Sequence, residues 1–438
     1  VPVKEKDYYA LSSVQERMYI LQQMNLESTA FNLAQYFGIG TYTKEAIQIA
    51  LKILISRHES FRTSFEIVDD IPVQRINSNI DIDVEKHEVS SIEELEDIYS
   101  SFIKPFDLCK APLLRVGYVR NTASNENYLM VDMHHIISDG ISMDLLQKEF
   151  SKLLQGENLP DLRLQYKDYA EWEKMIINDK QSEIVEFYKH YFQNITENIE
   201  LPFDYTMDNL KNKSTSCVKV YFNNNMKNKI IVFSKKYQSS LFISLLIPFN
   251  LMIKKITGSN QIQTAFAGGA RVHNDLSNVI GIFANTLIAN TYIDVKSNFS
   301  EYFKEESKKT MQLLEYQYYP LEKIFTKMGI KYPDVPVFFN MLNIEDTVNY
   351  DIENLESEFI KEAEVSKYPL HIYIKKYNNC LEFNCCYYNE LFEKDTIIEI
   401  MNKYSKIVEN MISNNYDSIK DILKLKKIKI MLAFKSHD

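Results

Sequence analysis

No stretch of the chain is apolar for long enough to cross a bilayer. The most apolar run, Leu241 to Ile253, contains Ser244, Pro248 and Asn250 and falls short of the roughly 20 residues a spanning helix needs. It is read as a buried helix, and no membrane partner is expected. Basic residues are not in excess either. Lys and Arg number 50 against 60 Asp and Glu, a formal charge of -10, the wrong sign for a protein whose affinity comes from neutralising phosphates, so nucleic acid is not expected as a partner. The five cysteines, at 109, 217, 380, 385 and 386, are odd in number and lack paired Cys-x-x-Cys knuckles. They show neither a disulfide framework nor a zinc site, and a reducing cytoplasm is the expected location. There is no Gly-x-Ser-x-Gly elbow and no Cys-His pairing, which makes direct transfer assisted by a base simpler than a covalent enzyme intermediate. The opening Val-Pro-Val-Lys-Glu-Lys has neither an initiator Met nor a basic-then-apolar signal, and is read as the edge of a piece of a longer polypeptide.

What is present suits a large globular fold. The 438 residues are 45% apolar and 25% charged, enough for buried cores and too long for one ordinary domain. Periodicity predicts a helix over 12–23, a strand over 34–39, and a helix from Thr43 to Ser56 leading into Arg57 to Glu66, the last part of which alternates toward a strand. Residues 113–120 and 128–133 alternate around the polar turn NTASNEN and predict a hairpin ending in His134-His135. Ser142 then leads a helical run with Leu145, Leu146, Phe150, Leu153 and Leu154 on one face, and another helix is predicted from Tyr166 to Met175. Beyond a boundary near 180, strands are predicted at 218–222, 261–267, 288–295, 336–342, 371–375 and 381–387. Helices are predicted at 227–237, 240–257, 297–315, 321–328 and 394–412. The fold class is therefore α/β, divided as 1–180 and 181–438.

The densest chemistry lies in His134-His135-Ile136-Ile137-Ser138-Asp139-Gly140, two of the eight histidines with a carboxylate and a glycine at a strand-to-helix junction. Neighbouring residues on a strand face opposite sides, so the two imidazoles cannot enter one pocket without a bend. This favours divided labour over paired metal ligation. One imidazole can exchange a proton near neutral pH while the other packs or bonds locally. A catalytic histidine, a core or turn pair, and a generic metal site all remain open from spacing alone.

These residues resemble the condensation domains of nonribosomal peptide synthetases, within the chloramphenicol acetyltransferase-like acyltransferase superfamily. The loop through Ile141-Ser142 matches that family's signature. The agreement extends to Leu11 to Met18, Arg57 to Phe65, Tyr166 to Trp172, Ile280 to Leu287 and Tyr316 to Glu322. The resemblance implies two acyltransferase-like subdomains forming a V-shaped pseudo-dimer around a central tunnel, acting as a single monomeric module. It implies donor and acceptor peptidyl carrier proteins as partners, with adenylation and carrier domains adjacent in a larger synthetase. Both substrates would arrive on phosphopantetheine arms, the donor's passing near Gly140, with no permanently bound cofactor, metal or ATP. The reaction implied is attack of the acceptor's amine on the donor's aminoacyl or peptidyl thioester, giving an amide, and the loop wording resembles the subtype taking an L-configured donor.

On the same resemblance, His135 is the catalytic candidate for proton handling and amine positioning. His134, Asp139, Gly140 and Ser142 support it, and Arg62 is the expected ion-pair partner of Asp139. Asn285, Thr286, Gln15 and Arg17 are expected to line the tunnel or to be structural, and Trp172, the one tryptophan, to pack in the core. The chain departs from the family pattern at Asn290, where an arginine is usual, at 332–337, and in Ala267-Gly268-Gly269-Ala270-Arg271. Two other functions fit the same scaffold: a noncatalytic recruitment domain, and an acyltransferase using a free amine or alcohol.

Overall fold

The computed structural model describes residues 1–424 except 79, 125, 194–198, 212, 347–366 and 414–416. It contains two units. The first comprises Val1–Gln181 together with Gly269–Asn285 and Tyr318–Pro320; the second holds Ser182–Gly268, Thr286–Gln317 and the chain from Leu321 onward.

In chain order the first unit runs β1 (Tyr9–Ala10), α1 (Ser13–Met24), β2 (Asn32–Gly40), α2 (Lys44–Arg57), β3 (Thr63–Val68), β4 (Ile71–Ile76) and β5 (Val84–Val89). It continues with α3 (Ile92–Phe102), β6 (Leu114–Asn121), β7 (Asn127–His134), α4 (Gly140–Leu154) and the start of α5 (Tyr166–Tyr191). Strands order as β2-β7-β6-β5 in one sheet and β1-β4-β3 in another. The predicted hairpin is β6 and β7, antiparallel with Leu114 opposite Met133. Being second in its sheet, β7 is bonded on both edges, and every side chain from Leu129 to His134 is buried. Ser12 starts α1 through a capping box with Gln15, a reciprocal pair that satisfies two backbone donors. Helix α5 outruns its expected end at Met175, because Ile184, Phe187, Tyr188 and Tyr191 keep helical spacing and no glycine or proline interrupts them. The passage between 67 and 112 holds β4, β5 and α3.

The second unit contains β8 (Thr215–Asn223), α6 (Asn224–Lys236), α7 (Leu241–Thr257), β9 (Gln261–Gly268), β10 (Asn285–Tyr292), α8 (Phe299–Glu315) and α9 (Leu321–Met328). After these come β11 (Val337–Asp346), β12 (Leu370–Tyr377), β13 (Cys380–Tyr388) and α10 (Lys394–Ile412). Its strands order as β10-β9-β11-β12-β13-β8. Helix α7 is the expected core helix, buried continuously from Ile243 to Ile253. Phe249 stacks on Phe339 with ring centroids 4.5 Å apart, and Tyr404 of α10 donates to the Leu245 carbonyl at 3.1 Å. Each such fully buried aromatic contributes about 1.5 to 3 kcal/mol relative to exposure. Among the described residues no single helix is long and apolar enough to cross a membrane.

One expectation about the cysteines is overturned. Cys217 and Cys386 are bonded as a disulfide 169 residues apart in sequence, facing each other in register across β8 and β13. The pairing follows from strand register, which neither count nor spacing reveals. Cys109, Cys380 and Cys385 are free thiols. Asn290, where the family pattern departs, is buried in β10 and donates its side chain to the Tyr191 carbonyl at 3.2 Å, while its backbone N–H donates to the Tyr191 hydroxyl. The 332–337 segment leads into β11, with Val337 fully buried. Most of Lys424 to Lys429, a basic run whose sequence suits an exit linker or a solvated helix end, lies outside the described residues.

Candidate active site

Strand β7 ends at His134, and His135 opens a 3₁₀ turn through Ile137. The bend divides the two imidazoles. His134 is buried, receives the Ile136 N–H on Nδ1 at 3.1 Å and therefore donates from Nε2 to the Gln22 side-chain oxygen at 3.2 Å. Burial, with the neighbouring His135 charge second, pulls it down to about 3, so this ring stays neutral. His135 is half-buried. Its Nδ1 lies 2.7 Å from the Ser138 carbonyl oxygen, which can only accept, so Nδ1 carries the hydrogen and Nε2 is the basic nitrogen. That is the tautomer a proton-accepting imidazole needs.

The backbone of the turn is held from below. The His135 N–H donates to the Phe31 carbonyl at 2.7 Å. The next residue, Asn32, donates its amide to both oxygens of Asp132 at 3.0 Å, and Arg115 closes the cluster at 2.6 Å from Asp132. Asp132 is fully buried; that burial, against the pull of Arg115, pushes its carboxyl up to about 6. Gln15 donates to the Ile136 carbonyl at 3.3 Å, which makes it a support of the turn. Arg17, two residues on along α1, is half-buried.

Asp139 follows the turn and caps α4: its Oδ1 accepts the Ser142 N–H at 2.8 Å, so Asp139 itself, and not Ser142, starts the helix. Gly140 is the first residue of α4 and exposed, and a Cβ placed there would meet nothing within 4 Å. Helix α4 is tied to the end of α2 by Glu149, which takes hydrogen bonds from Arg57 and lies 2.6 Å from His58 Nε2. This buried pair gives His58 a structural place.

Arg62 is not the partner of Asp139. Its guanidinium donates to the carbonyls of Ile55 at 3.0 Å and Asn77 at 2.7 Å, satisfying a last-turn acceptor of α2 that the helix leaves open. The partner is Arg271, 3.2 Å from Asp139 Oδ2, with its guanidinium 4.0 Å over the Phe283 ring. Asp139 is buried and the Arg271 side chain is 10% exposed, and desolvation pulls Arg271 below its ordinary value against the favourable charge of Asp139. Arg271 lies in the glycine-containing segment that departs from the family pattern, so wording pointed away from it.

The segment after Arg271 completes the site. The Phe283 N–H donates to Asp139 Oδ2 at 3.0 Å, and Ser142 Oγ donates to the Gly281 carbonyl at 2.8 Å while accepting from Gly281 N–H and Arg271. Tyr166 packs so closely that a Cβ on Gly281 would fall 1.9 Å from its ring, which explains the glycine. Asn285 is buried and donates to the Tyr319 carbonyl at 2.9 Å, whereas Thr286 is half-buried at the start of β10. Trp172 meets Tyr169 and Tyr318. Among the described residues no group of three or more His, Cys, Asp or Glu could hold a metal ion.

The profile of a family described as Condensation domain matches residues 5–429. Tyrocidine synthase 3 from Brevibacillus parabrevis is 30% identical over 432 residues, covering 96% of this chain and 7% of that protein. Gramicidin S synthase 2 from Aneurinibacillus migulanus is 32% identical over 425 residues, covering 94% and 9%. The chain thus spans less than a tenth of either relative. Among solved structures, the X-domain in its complex with OxyB from teicoplanin biosynthesis matches with a TM-score of 0.80 at 18% identity, over 97% of this chain and 98% of that one. At that identity the likeness concerns the fold.

Proposed function

The chain belongs to the condensation-domain family of nonribosomal peptide synthetases, and from that premise we propose that it forms an amide between two carrier-bound substrates. The donor is an aminoacyl or peptidyl thioester, with an L-configured terminus, and the acceptor is an aminoacyl thioester whose amine attacks it. Both ride on phosphopantetheine arms of peptidyl carrier proteins, supplied by carrier and adenylation domains adjoining this one in a larger synthetase. The two units correspond, in this reading, to the two acyltransferase-like subdomains.

One observation carries the assignment of His135: its Nδ1–H is committed to the Ser138 carbonyl, which leaves Nε2 basic on a half-buried turn. In the reaction the amine nitrogen bonds to the thioester carbon, its surplus proton passes to His135 Nε2, and the carbon–sulfur bond breaks to release the donor arm as a thiol once protonated. Holding amine and thioester together supplies a large share of the rate on its own. Asp139 and Ser142 keep the loop in place, neutral His134 braces it through Gln22, and the open space beside Gly140 leaves room for the donor arm.

The test uses two purified carrier proteins, each loaded with a defined aminoacyl group, and follows dipeptidyl product on the acceptor by mass spectrometry. Product is expected with the native chain and is expected to fall about a hundredfold or more with His135→Ala. A folded native chain that yields no product across suitable loaded pairs overturns the reading, and undiminished turnover by His135→Ala overturns the role of His135.

A further inference from the structure

Residues 279–284 belong to no strand or helix, yet Val279 to Phe283 are buried. Buried backbone groups require partners. Three successive carbonyls take them from side-chain hydroxyls on three different elements. Ser60, in the 3₁₀ turn after α2, donates to the Ile280 carbonyl at 2.6 Å; Ser142 of α4 donates to the Gly281 carbonyl at 2.8 Å; and Tyr166 of α5 donates to the Ile282 carbonyl. Ser12 lies 2.8 Å from the Tyr166 oxygen; since that phenol's single hydrogen is committed to Ile282, Ser12 is the donor. Ser12, Ser60, Ser142 and Tyr166 are all buried.

We infer that Ser60, Ser142 and Tyr166 are positioning residues for the proton-handling histidine, acting through this strap; the inference rests on the reading of His135 given above. The path is continuous. Hydroxyls hold 280–282, which sets the Phe283 N–H on Asp139 Oδ2. Arg271 bonds the Val279 carbonyl and Asp139 together, so the same strap aligns the ion pair. Asp139 is covalently next to Ser138, whose carbonyl fixes the tautomer of His135. A strap that shifts moves Asp139, and the Ser138 carbonyl turns with it. The three hydroxyls come from sequence positions far apart, and two of them, Ser60 and Tyr166, give their hydrogens to the strap, at the Ile280 and Ile282 carbonyls.

Tyr166→Phe removes one oxygen and keeps the ring, and Ser60→Ala removes another at a second place on the strap. Each is expected to lower kcat about ten- to a hundredfold while KM for both loaded carriers stays within about twofold. Ser60→Thr, which restores the hydroxyl, is expected to recover most of the loss. Nitrogen-15 spectra of labelled imidazoles supply a readout that simple loss of stability does not move. In the native chain His135 shows a protonated Nδ1, and in Tyr166→Phe and Ser60→Ala its two nitrogens shift toward averaged tautomers while His134 stays unchanged. Unchanged kcat in both variants, or a lowered kcat with the His135 signals unmoved, overturns the inference. Failure of the native chain to form dipeptide counts instead against the function proposed for it, because the imidazole spectra still report whether the strap controls His135.

Discussion

Arg271 and Asp139, 132 residues apart in sequence, form a largely buried ion pair 3.2 Å long, and the carboxylate so held also caps α4 through the Ser142 N–H. The pair joins a segment from the second half of the chain to the histidine loop in the first. Breaking a buried pair by removing one member leaves an uncompensated charge, which costs far more than losing an exposed contact.

Arg271→Ala is therefore expected to destabilise the first unit by about 3 kcal/mol or more and to abolish most turnover, since Asp139 loses its partner inside the protein. Adding Asp139→Asn, which removes the stranded charge, is expected to return part of the stability and none of the activity. Arg62→Gln is the contrasting variant. It gives up carbonyl contacts at the end of α2 and is expected to lose only about 1 kcal/mol while condensing at close to the native rate. Denaturant unfolding alongside dipeptide formation checks both. An active Arg271→Ala with a dead Arg62→Gln would reverse the assignment.

The disulfide yields an independent count. With Cys217 and Cys386 joined and three cysteines free, thiol titration of the denatured, unreduced chain is expected to find three groups, and five after reduction. In the native state Cys109 is the exposed free thiol, whereas Cys380 and Cys385 are buried and burial pushes both thiols up. Brief alkylation followed by peptide mapping is expected to label Cys109 first. Five groups before reduction would remove the cross-strand bond.

Periodicity and composition carried much of the fold. Helix α10 was bounded at Lys394 and Ile412, the burial of α7 followed from its apolar sequence, and the β6–β7 hairpin from alternation around a polar turn. These signals are local, each readable within one window. What escaped is long-range. Arg62 sits in a conspicuous motif, but its carbonyl partners lie within its own neighbourhood at Ile55 and Asn77. Arg271 sits in wording that departs from the pattern and still supplies the ion pair. Tyr166 and Gly281 were both in recognised segments, yet nothing in either segment announces that the ring of one fills the place where the other lacks a side chain. Strand β5, at the edge of its sheet, escapes because an edge strand of six residues needs little apolar content to pair, and β4, though central between β1 and β3, is as short and offers no longer period to read.

The buried imidazoles make stability depend on pH with a definite sign. His134 and His371 are pulled from 6.5 down to about 3 by burial, so on acidification the unfolded chain takes up their protons first. Their contribution is complete above about pH 6.5 and is lost as pH falls toward 3. Asp132 works the other way: raised from 3.8 to about 6, its contribution is present at low pH and lost as pH rises through 6. Between roughly pH 4 and 6, each such group changes unfolding free energy by at most about 1.4 kcal/mol per pH unit. His134→Asn retains an acceptor for the Ile136 N–H and removes the titrating ring. Urea unfolding of native and variant chains at half-unit steps from pH 4.5 to 7 is expected to show a shallower rise of stability with pH in the variant, by up to about 1.4 kcal/mol per unit. The two curves should become parallel above pH 6.5, where neither chain protonates that site. Parallel curves across the whole range would mean that His134 ionises in the folded protein much as it does in water, and that the neutral, Gln22-bonded ring is not the native form.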